Sequence, residues 1–371
     1  MNEHDLKLLS ELTLVMTTFN RPLELERAIE YWRDTPATVH ILDGSVDTSL
    51  SEGLLPDTNS IYYHHVPSLR TDVPLLDFFE RMVLGSNLSS TKYSAICPED
   101  DFYIISGLIE SINHLENNNE IDAVSGSVLH YRKKRKNVVW SFHHRVRLNY
   151  NLLETPSLET RVENESTTWF LYAVCRTPIW KQFIQISYEI KEFTEIQFYA
   201  NEFIMFKLSK AMFRTKCLNT LTLIRQHSIE GWNLGPKITW KDWLLDKSNN
   251  FLIEEIADQL AKGFNAVSSS SDAEKNLQIA RRLMVREQEK VLSRVDRIPN
   301  LHERVRYIFI KIIFKFFPNL KVFSDRPHKL KDSWEMLDAT RLSYNRRELQ
   351  YINDLLLKPR EELRLKAKFS C

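Results

Sequence analysis

The first 130 residues alternate between short apolar runs and stretches whose apolar residues recur at helical spacing. Residues 12–19 (LTLVMTTF) favour a β-strand, and the run stops at Asn20-Arg21-Pro22. Because proline fits the first turn of a helix, Pro22 predicts a helix start, with Asn20 or Arg21 near the cap. The apolar stripe of that helix follows at positions 23, 25, 28, 29 and 32.

The same alternation continues through the next hundred residues. It predicts helices at 74–84 and from about 106, and strands at 37–42, 60–66, 93–97 and 121–129. Strands that alternate with helices indicate an α/β fold, here a Rossmann-like and mainly parallel sheet with flanking helices. Ligands bind such sheets at the carboxyl ends of the strands. We therefore expect residues 17–21, 43–45 and 99–101 to share one rim.

The pattern changes in the second half of the chain. Short strands are predicted at 138–142, 168–174 and 217–224, and helices at 177–186 and 195–210. Beyond about residue 246 helical segments dominate, and the serine run at 268–271 indicates a loop or an N-cap. We therefore divide the chain into a first domain, residues 1–245, and a helical C-terminal region, residues 246–371.

The composition is that of a folded protein and makes several classes unlikely. The chain has 371 residues with 50 Lys+Arg and 49 Asp+Glu, a formal net charge of +1. It has no apolar run of about 18 residues, so no membrane-spanning helix is predicted. Its N-terminus (MNEHDLKLLSEL) does not resemble a secretion signal. The four cysteines are far apart, which favours a cytoplasmic, reducing environment.

Glycine is scarce and acidic residues are concentrated at one predicted strand end. The chain has 8 glycines, whereas average usage is about 7%, so a glycine-rich phosphate loop is not expected. Glu99-Asp100-Asp101 directly follows the fourth strand, where three adjacent charges repel one another. A hard cation such as Mg²⁺ or Mn²⁺ would relieve that repulsion and bind phosphate. The alternative is a solvated acidic loop.

The ends of the first two strands carry side chains suited to a nucleotide. Asp43 ends the second strand and could accept from a base or a ribose hydroxyl, or could cap its own turn. Polar groups suited to a nucleotide or a diphosphate end the first strand, namely Thr17, Thr18, Asn20 and Arg21. Arg21 could equally be a surface residue.

The second half supplies candidates for a general base. Glu192, Glu195 and Glu202 lie around an aromatic-rich stretch, and Glu195 and Glu202 are seven residues apart, on nearly one helix face. A carboxylate among apolar groups has a raised pKa, which suits a base; a solvated helix face is the alternative. His227 is a candidate metal ligand or phosphate contact, although a lone histidine is more often structural.

Together these motifs resemble a known family of enzymes. The order LTLVMTTFNRP, HILDGS and PEDDF is similar to the nucleotide-sugar-binding half of bacterial family 2-like glycosyltransferases with the GT-A fold. The later RQH before a tryptophan is similar to their downstream element. The resemblance covers about residues 10–235.

The resemblance implies a role for each group of residues. Thr17, Asn20, Arg21 and Asp43 would bind the nucleotide, and Glu99, Asp100 and Asp101 would hold Mn²⁺ or Mg²⁺ on the sugar diphosphate, Asp101 directly. The base would be Glu202 or Glu195, because the usual acidic pair is replaced by Asn201-Glu202. It further implies inverting transfer from a nucleotide-sugar, a UDP-sugar above all, to a glycan or lipid-linked acceptor in cell-envelope polysaccharide synthesis.

The C-terminal region contains a basic and apolar segment. Residues 304–323 (RVRYIFIKIIFKFFPNLKVF) lie within a stretch, 281–331, that has 14 Lys/Arg and 5 Asp/Glu. Such a helix could lie on the anionic inner face of the membrane, or could pack in a core or a homo-oligomer. No nucleic-acid-binding module accompanies it, so nucleic acid is not an expected partner.

Two other functions remain open on the sequence alone. A nucleotidyltransferase would share the α/β sheet and its paired acids, and a non-catalytic scaffold would use the helical region instead. Turnover of nucleotide-sugars rather than nucleoside triphosphates would separate the first from a glycosyltransferase.

Overall fold

A computed structural model describes most of the chain. The described residues are 1–48, 60–67, 74–134, 137–142, 157–163, 170–191, 197–226, 240–267, 272–295 and 343–359.

The first half alternates between strands and helices as the sequence predicts. Its helices are α1 (Glu3–Ser10), α2 (Pro22–Trp32), α3 (Pro74–Leu88) and α4 (Ile105–Asn117). Its strands are β1 (Leu12–Thr18), β2 (Thr38–Asp43), β3 (Ile61–His65), β4 (Tyr93–Ile96), β5 (Phe102–Tyr103), β6 (Ala123–Lys134) and β7 (Asn137–Phe142).

The second half is mainly helical. Its two strands are β8 (Val174–Arg176) and β9 (Thr215–Gln226). Its α-helices are α5 (Leu158–Glu163), α6 (Thr177–Glu189), α7 (Gln197–Met212), α8 (Trp240–Leu245), α9 (Asn250–Val267), α10 (Ala273–Val295) and α11 (Arg346–Leu357).

The described strands form one sheet of nine, in the order β3-β2-β1-β4-β8-β6-β9-β5, with β7 paired to β6. Strands β3, β2, β1 and β4 are parallel neighbours, and so are β6 and β9. The short strand β8 joins these two groups through antiparallel pairing on both sides. The predicted α/β class is confirmed, and the parallel group brings the ends of β1, β2 and β4 to one edge.

Strand β1 lies inside the sheet and is covered on both faces. Leu14 and Met16 belong to one buried apolar cluster, and Val15 belongs to the other. Burial on both faces explains why residues 12–19 read as a continuous apolar run instead of an alternating one. It also fixes the position of the rim, because β1 cannot shift along its neighbours without moving polar residues into the two clusters.

Two local expectations from the sequence differ from the structure. The strand expected at 168–174 is instead a 3₁₀ turn, Phe170–Tyr172, followed by β8 at Val174–Arg176. The turn sets the backbone of Tyr172 beside the end of β4, where its carbonyl accepts from the Tyr103 hydroxyl (2.8 Å). Helix α1 was not predicted, although Asn2 and Asp5 form its capping box.

The C-terminal helices contribute to both apolar clusters. Helices α9 and α10 share a cluster with Val15 of β1, and α11 contributes to the cluster that contains Leu14. The predicted domain boundary near residue 245 stays a prediction, but the helices beyond it pack against the sheet's own core. The serine run at 268–271 lies outside the described residues.

In the part of the chain that the structure describes, no helix is both long and apolar enough to cross a bilayer. The basic and apolar segment at 304–323 lies outside the described residues. Its attachment to an anionic membrane, or to another copy of the chain, stays a prediction.

A pair of histidines connects β2 to the edge strand β3. Nδ1 of His40 lies 3.2 Å from Nε2 of His64, and the His40 ring stacks on Tyr62 with 5.1 Å between ring centroids. Burial and, to a smaller extent, the neighbouring His64 lower the pKa of His40 to about 4, although a hydrogen bond to the Leu88 backbone opposes the shift. Protonation of both rings would place two N–H donors face to face.

This pair makes the stability of the sheet edge depend on pH. The unfolded chain binds a proton at His40 near pH 6.5 and the folded chain only near pH 4, so the free energy of unfolding falls as pH drops through that window. We expect His40→Gln to remove about 1–3 kcal/mol of this pH dependence. Urea titrations between pH 7 and 4.5 would measure it, with the exposed His4→Gln as control. Parallel curves for wild type and His40→Gln would contradict the prediction.

Candidate active site

The turn after β2 is organised around the buried carboxylate of Asp43. Oδ1 of Asp43 accepts from Ser45 N (2.9 Å) and Ser45 Oγ (2.6 Å), and Oδ2 accepts from the Tyr63 hydroxyl (2.6 Å). Ser45 Oγ in turn accepts from Asn20 N (2.8 Å), which ties this turn to the end of β1. Asp43 therefore caps its own turn, as one of the two sequence interpretations holds, and places that turn at the rim.

The residues that end β1 lie directly beside this turn. Asn20 has a left-handed backbone with φ of 55°, a conformation that asparagine tolerates better than most residues. The carbonyl of Thr18 accepts from Gly44 N (2.9 Å), and its buried hydroxyl has no hydrogen-bond partner among the described residues. Thr17 is half-buried on the same strand. The end of β1 therefore carries one buried polar group whose hydrogen bond the described residues do not supply.

Gly44 leaves room for the side chain of Arg81 beside this turn. A Cβ at this position would clash with the guanidinium of Arg81, which is buried against the turn. Burial lowers the pKa of Arg81, and the charges of Asp77 and Asp43 oppose that effect. The buried guanidinium of Arg81 therefore packs against the turn that follows β2.

Arg21 joins the start of α2 to the acidic loop after β4. Its Nη1 lies 3.1 Å from Oε1 of Glu99 and 2.8 Å from Oδ2 of Asp100. Burial would lower the pKa of Arg21, but the two carboxylates outweigh it and the pKa is raised. Without a ligand, Arg21 therefore binds the acids, where the sequence suggested a nucleotide or diphosphate contact.

The third acid of the loop faces the other side, towards the end of β9. Oδ1 of Asp101 accepts from Gln226 N (2.8 Å), and its Oδ2 lies 3.9 Å from Nε of Arg225. Burial raises the pKa of Asp101 well above its usual value, and it raises that of Glu99 to about 8; the charge of Asp100 adds to both. The loop therefore holds two buried carboxylates whose negative charge is only partly compensated by nearby arginines.

These acids offer the right donor atoms for a hard cation, but they do not converge. Among the described residues no group of three or more His, Cys, Asp or Glu side chains is arranged around a common point that could hold a metal ion. Glu99 and Asp100 face Arg21, whereas Asp101 faces β9. Buried carboxylate oxygens with raised pKa values remain suitable ligands for Mg²⁺ or Mn²⁺. The other suggested ligand, His227, lies outside the described residues.

The candidate base Glu202 lies on α7 and is half-buried. Burial raises its pKa, and the positive charge of Arg225 opposes that rise. Tyr199 and Phe206 lie on the same face of the helix, at the i−3 and i+4 positions. The role of Glu202 as a general base stays a prediction. The other candidates, Glu195 and Glu192, lie outside the described residues.

Arg225 is the central residue that the sequence interpretation missed. Its guanidinium carbon lies 5.0 Å from the centre of the Tyr172 ring, and its charge acts on both Asp101 and Glu202. The acidic loop and the candidate base therefore share one cation. The signal for it in the sequence is its position at the end of β9, two residues before His227.

Comparisons with known proteins give only distant similarity. No protein-family model and no curated protein sequence matches the chain. Among solved structures, S. aureus TarS 1-349 is 12% identical over 80% of this chain and 77% of that chain, with a TM-score of 0.46. Its complex with UDP is 12% identical over 93% of this chain and 88% of that chain, with a TM-score of 0.47. Its complex with UDP-GlcNAc is 11% identical over 72% of this chain and 70% of that chain, with a TM-score of 0.43.

Proposed function

We propose that this chain is a glycosyltransferase that uses a nucleotide-sugar donor on a GT-A-type α/β domain. One observation carries the proposal: the acidic loop after β4 and the half-buried Glu202 of α7 both act on Arg225 at the carboxyl edge of the sheet. Acids that could hold a metal ion on a diphosphate and an acid suited to act as a base thus both interact electrostatically with one cation.

The ends of β1 and β2 would hold the nucleotide. Thr18 and the turn built by Asp43 and Ser45 lie at the same edge of the sheet. Arg21 would exchange its contacts with Glu99 and Asp100 for the donor diphosphate, because a guanidinium binds phosphate oxygens in two-pronged fashion. Donor binding would therefore alter the charge balance around Glu99 and Asp100.

A divalent cation is part of this proposal. Asp101 and Glu99 are its candidate ligands, with His227 outside the described residues, and Mn²⁺ or Mg²⁺ bound there would supply positive charge to the donor diphosphate. Asp101 has its second oxygen 3.9 Å from Arg225, longer than a direct hydrogen bond, which leaves that oxygen room for another partner.

Glu202 would act as the general base in a single displacement. Its carboxylate would take the proton of an acceptor hydroxyl while the acceptor oxygen forms a bond to the anomeric carbon. The bond from that carbon to the diphosphate oxygen breaks in the same step, and the nucleoside diphosphate leaves with the bonding electrons. The configuration at the anomeric carbon inverts. A raised pKa suits Glu202 to accept this proton near neutral pH.

The resemblance carried by the sequence motifs suggests the substrates. The donor would be a nucleotide-sugar, with a UDP-sugar as the first to test. The acceptor would be a glycan or a lipid-linked sugar of the cell envelope.

A thermal-shift screen tests the donor site directly. A nucleotide-sugar at 100 times its Kd stabilises the folded state by about 2.7 kcal/mol, which for a chain of this size corresponds to roughly 3 °C in Tm. We expect such a shift with at least one nucleotide-sugar, larger with Mn²⁺ than with EDTA. Equal shifts with nucleoside triphosphates, and turnover of these alone, would favour a nucleotidyltransferase. No shift with any nucleotide would contradict the proposal.

A further inference from the structure

The helix that follows the acidic loop has no N-terminal cap in its own sequence. Helix α4 begins at Ile105, and its N-cap residue is Ile104, whose side chain cannot accept a hydrogen bond. The first backbone N–H groups of a helix have no partner within the helix, so they require an acceptor from elsewhere. The first residue of α4 lies four residues after Asp101.

Glu348 on α11 supplies that acceptor from the far end of the chain. Its Oε1 accepts from Ile105 N, and its Oε2 accepts from Ser106 Oγ (3.2 Å) and Ser106 N (3.4 Å). The hydroxyl of Tyr31, near the end of α2, lies 2.8 Å from the same carboxylate. One side chain thus connects α2 and α4, the two helices whose starts flank the Arg21–acid contact.

A tyrosine network continues from Glu348 to the strands beneath the loop. The Tyr31 hydroxyl is 2.6 Å from the carbonyl of Tyr103 in β5. The Tyr103 hydroxyl lies 2.9 Å from the carbonyl of Ile96, the last residue of β4, and 2.8 Å from that of Tyr172. The backbone before the acidic loop, at Ile96, is thus linked through Tyr103 and Tyr31 to Glu348. The same Tyr103 hydroxyl contacts Tyr172, whose ring faces Arg225.

Packing holds Glu348 in place. Ser343 pairs with β9, because Leu221 N donates to its carbonyl (2.9 Å) and its own N–H donates to Asn219 (3.1 Å). Helix α11 is then capped by Asn345 and buries Leu349, Ile352, Leu355 and Leu356 in the cluster that contains Leu14. The position of the carboxylate is therefore set by a strand contact, a helix cap and a buried face.

We propose that Glu348 is a positioning residue for the acidic loop. Residues 343–357 are then needed for the geometry of the donor site. The proposal rests on the function proposed above, in which that loop binds the donor diphosphate. Glu348 itself touches no substrate: it fixes the start of α4 and, through Tyr31 and Tyr103, the backbone that presents Asp101.

Hydrogen exchange tests the positioning role without any ligand. In Glu348→Ala we expect amides of residues 97–106 to exchange at least about tenfold faster, while the buried face of α11 stays protected. Glu348→Gln keeps an acceptor oxygen and should recover most of the protection, and Tyr31→Phe should loosen the loop in part. Asp354→Ala, an exposed acid on the same helix, is the matched control. Unchanged exchange at 97–106 in Glu348→Ala would overturn the proposal.

Nucleotide binding then connects the loop to the donor site. With UDP and Mn²⁺ as the probe, we expect Kd to rise about tenfold in Glu348→Ala and to be largely restored in Glu348→Gln. If Glu348→Ala lowered Tm but left Kd unchanged, Glu348 would stabilise the fold without positioning the loop, and the proposal would be overturned. If the wild type itself binds no nucleotide, the function proposed above fails, and the exchange data alone decide whether Glu348 positions the loop.

Discussion

Replacing Glu202 with glutamine is expected to lower kcat by about 10²–10⁴-fold, the range that a positioned general base contributes. The amide keeps the shape of the side chain but cannot take a proton from the acceptor. The half-buried position on α7 and the nearby Arg225 remain as they are, so donor Kd and Tm should stay close to wild type. Initial rates with saturating donor, measured beside equilibrium donor binding, separate the two effects.

Two further variants make the Glu202 experiment decisive. Glu195→Gln tests the other candidate on the same predicted helix face, and only one of the two should show the large loss of kcat. Glu255→Gln replaces an exposed glutamate on α9 and should leave the rate unchanged. Full activity in Glu202→Gln together with loss in Glu195→Gln would move the base to Glu195.

Asp101→Asn is expected to reduce turnover by more than about 100-fold, because even residues that only orient a metal ligand account for about 10–100-fold. The asparagine oxygen can still accept from Gln226 N, so the fold around the loop should persist. What is lost is the negative charge beside Arg225. We therefore expect weaker donor binding in the presence of Mn²⁺ and a Tm near that of the wild type.

The control for Asp101→Asn is the same substitution at an exposed position, Asp258→Asn on α9. Donor binding and turnover should be unaffected there. If Asp101→Asn retained wild-type turnover and an undiminished Mn²⁺-dependent shift in Tm, the acidic loop would have no part in donor binding.

The parallel half of the fold could be predicted because local signals agreed with the tertiary structure. The run at 12–19, the proline at 22 and the stripe that follows correspond to β1 and α2 within one or two residues. Strand β5 was not predicted because it has only two residues, too few to show an alternation of apolar and polar positions. The 3₁₀ turn at Phe170–Tyr172 and the three-residue β8 follow from partners elsewhere in the sheet, not from their own sequence.

The site was predictable in its residue types and less so in its contacts. Strand ends placed Asp43 and the acidic loop at one edge, but no sequence rule says that Arg21 pairs with Glu99 and Asp100. The role of Arg225 depends on β9 pairing with β5, a contact across more than a hundred residues. Glu348 is even more distant in sequence from the helix that it caps. The sequence indicates only that α4 lacks a cap of its own, because its N-cap residue is an isoleucine.

The late position of α11 has a consequence for how the chain folds during synthesis. Its apolar face completes the cluster around β1, yet it is made roughly 120–130 residues after β9, the last strand of the sheet along the chain, ends. At typical rates of translation this corresponds to a delay of about 6–26 s. During that time the sheet has one apolar face partly uncovered, and a nascent chain that stops before residue 343 would depend on chaperones to stay out of aggregates.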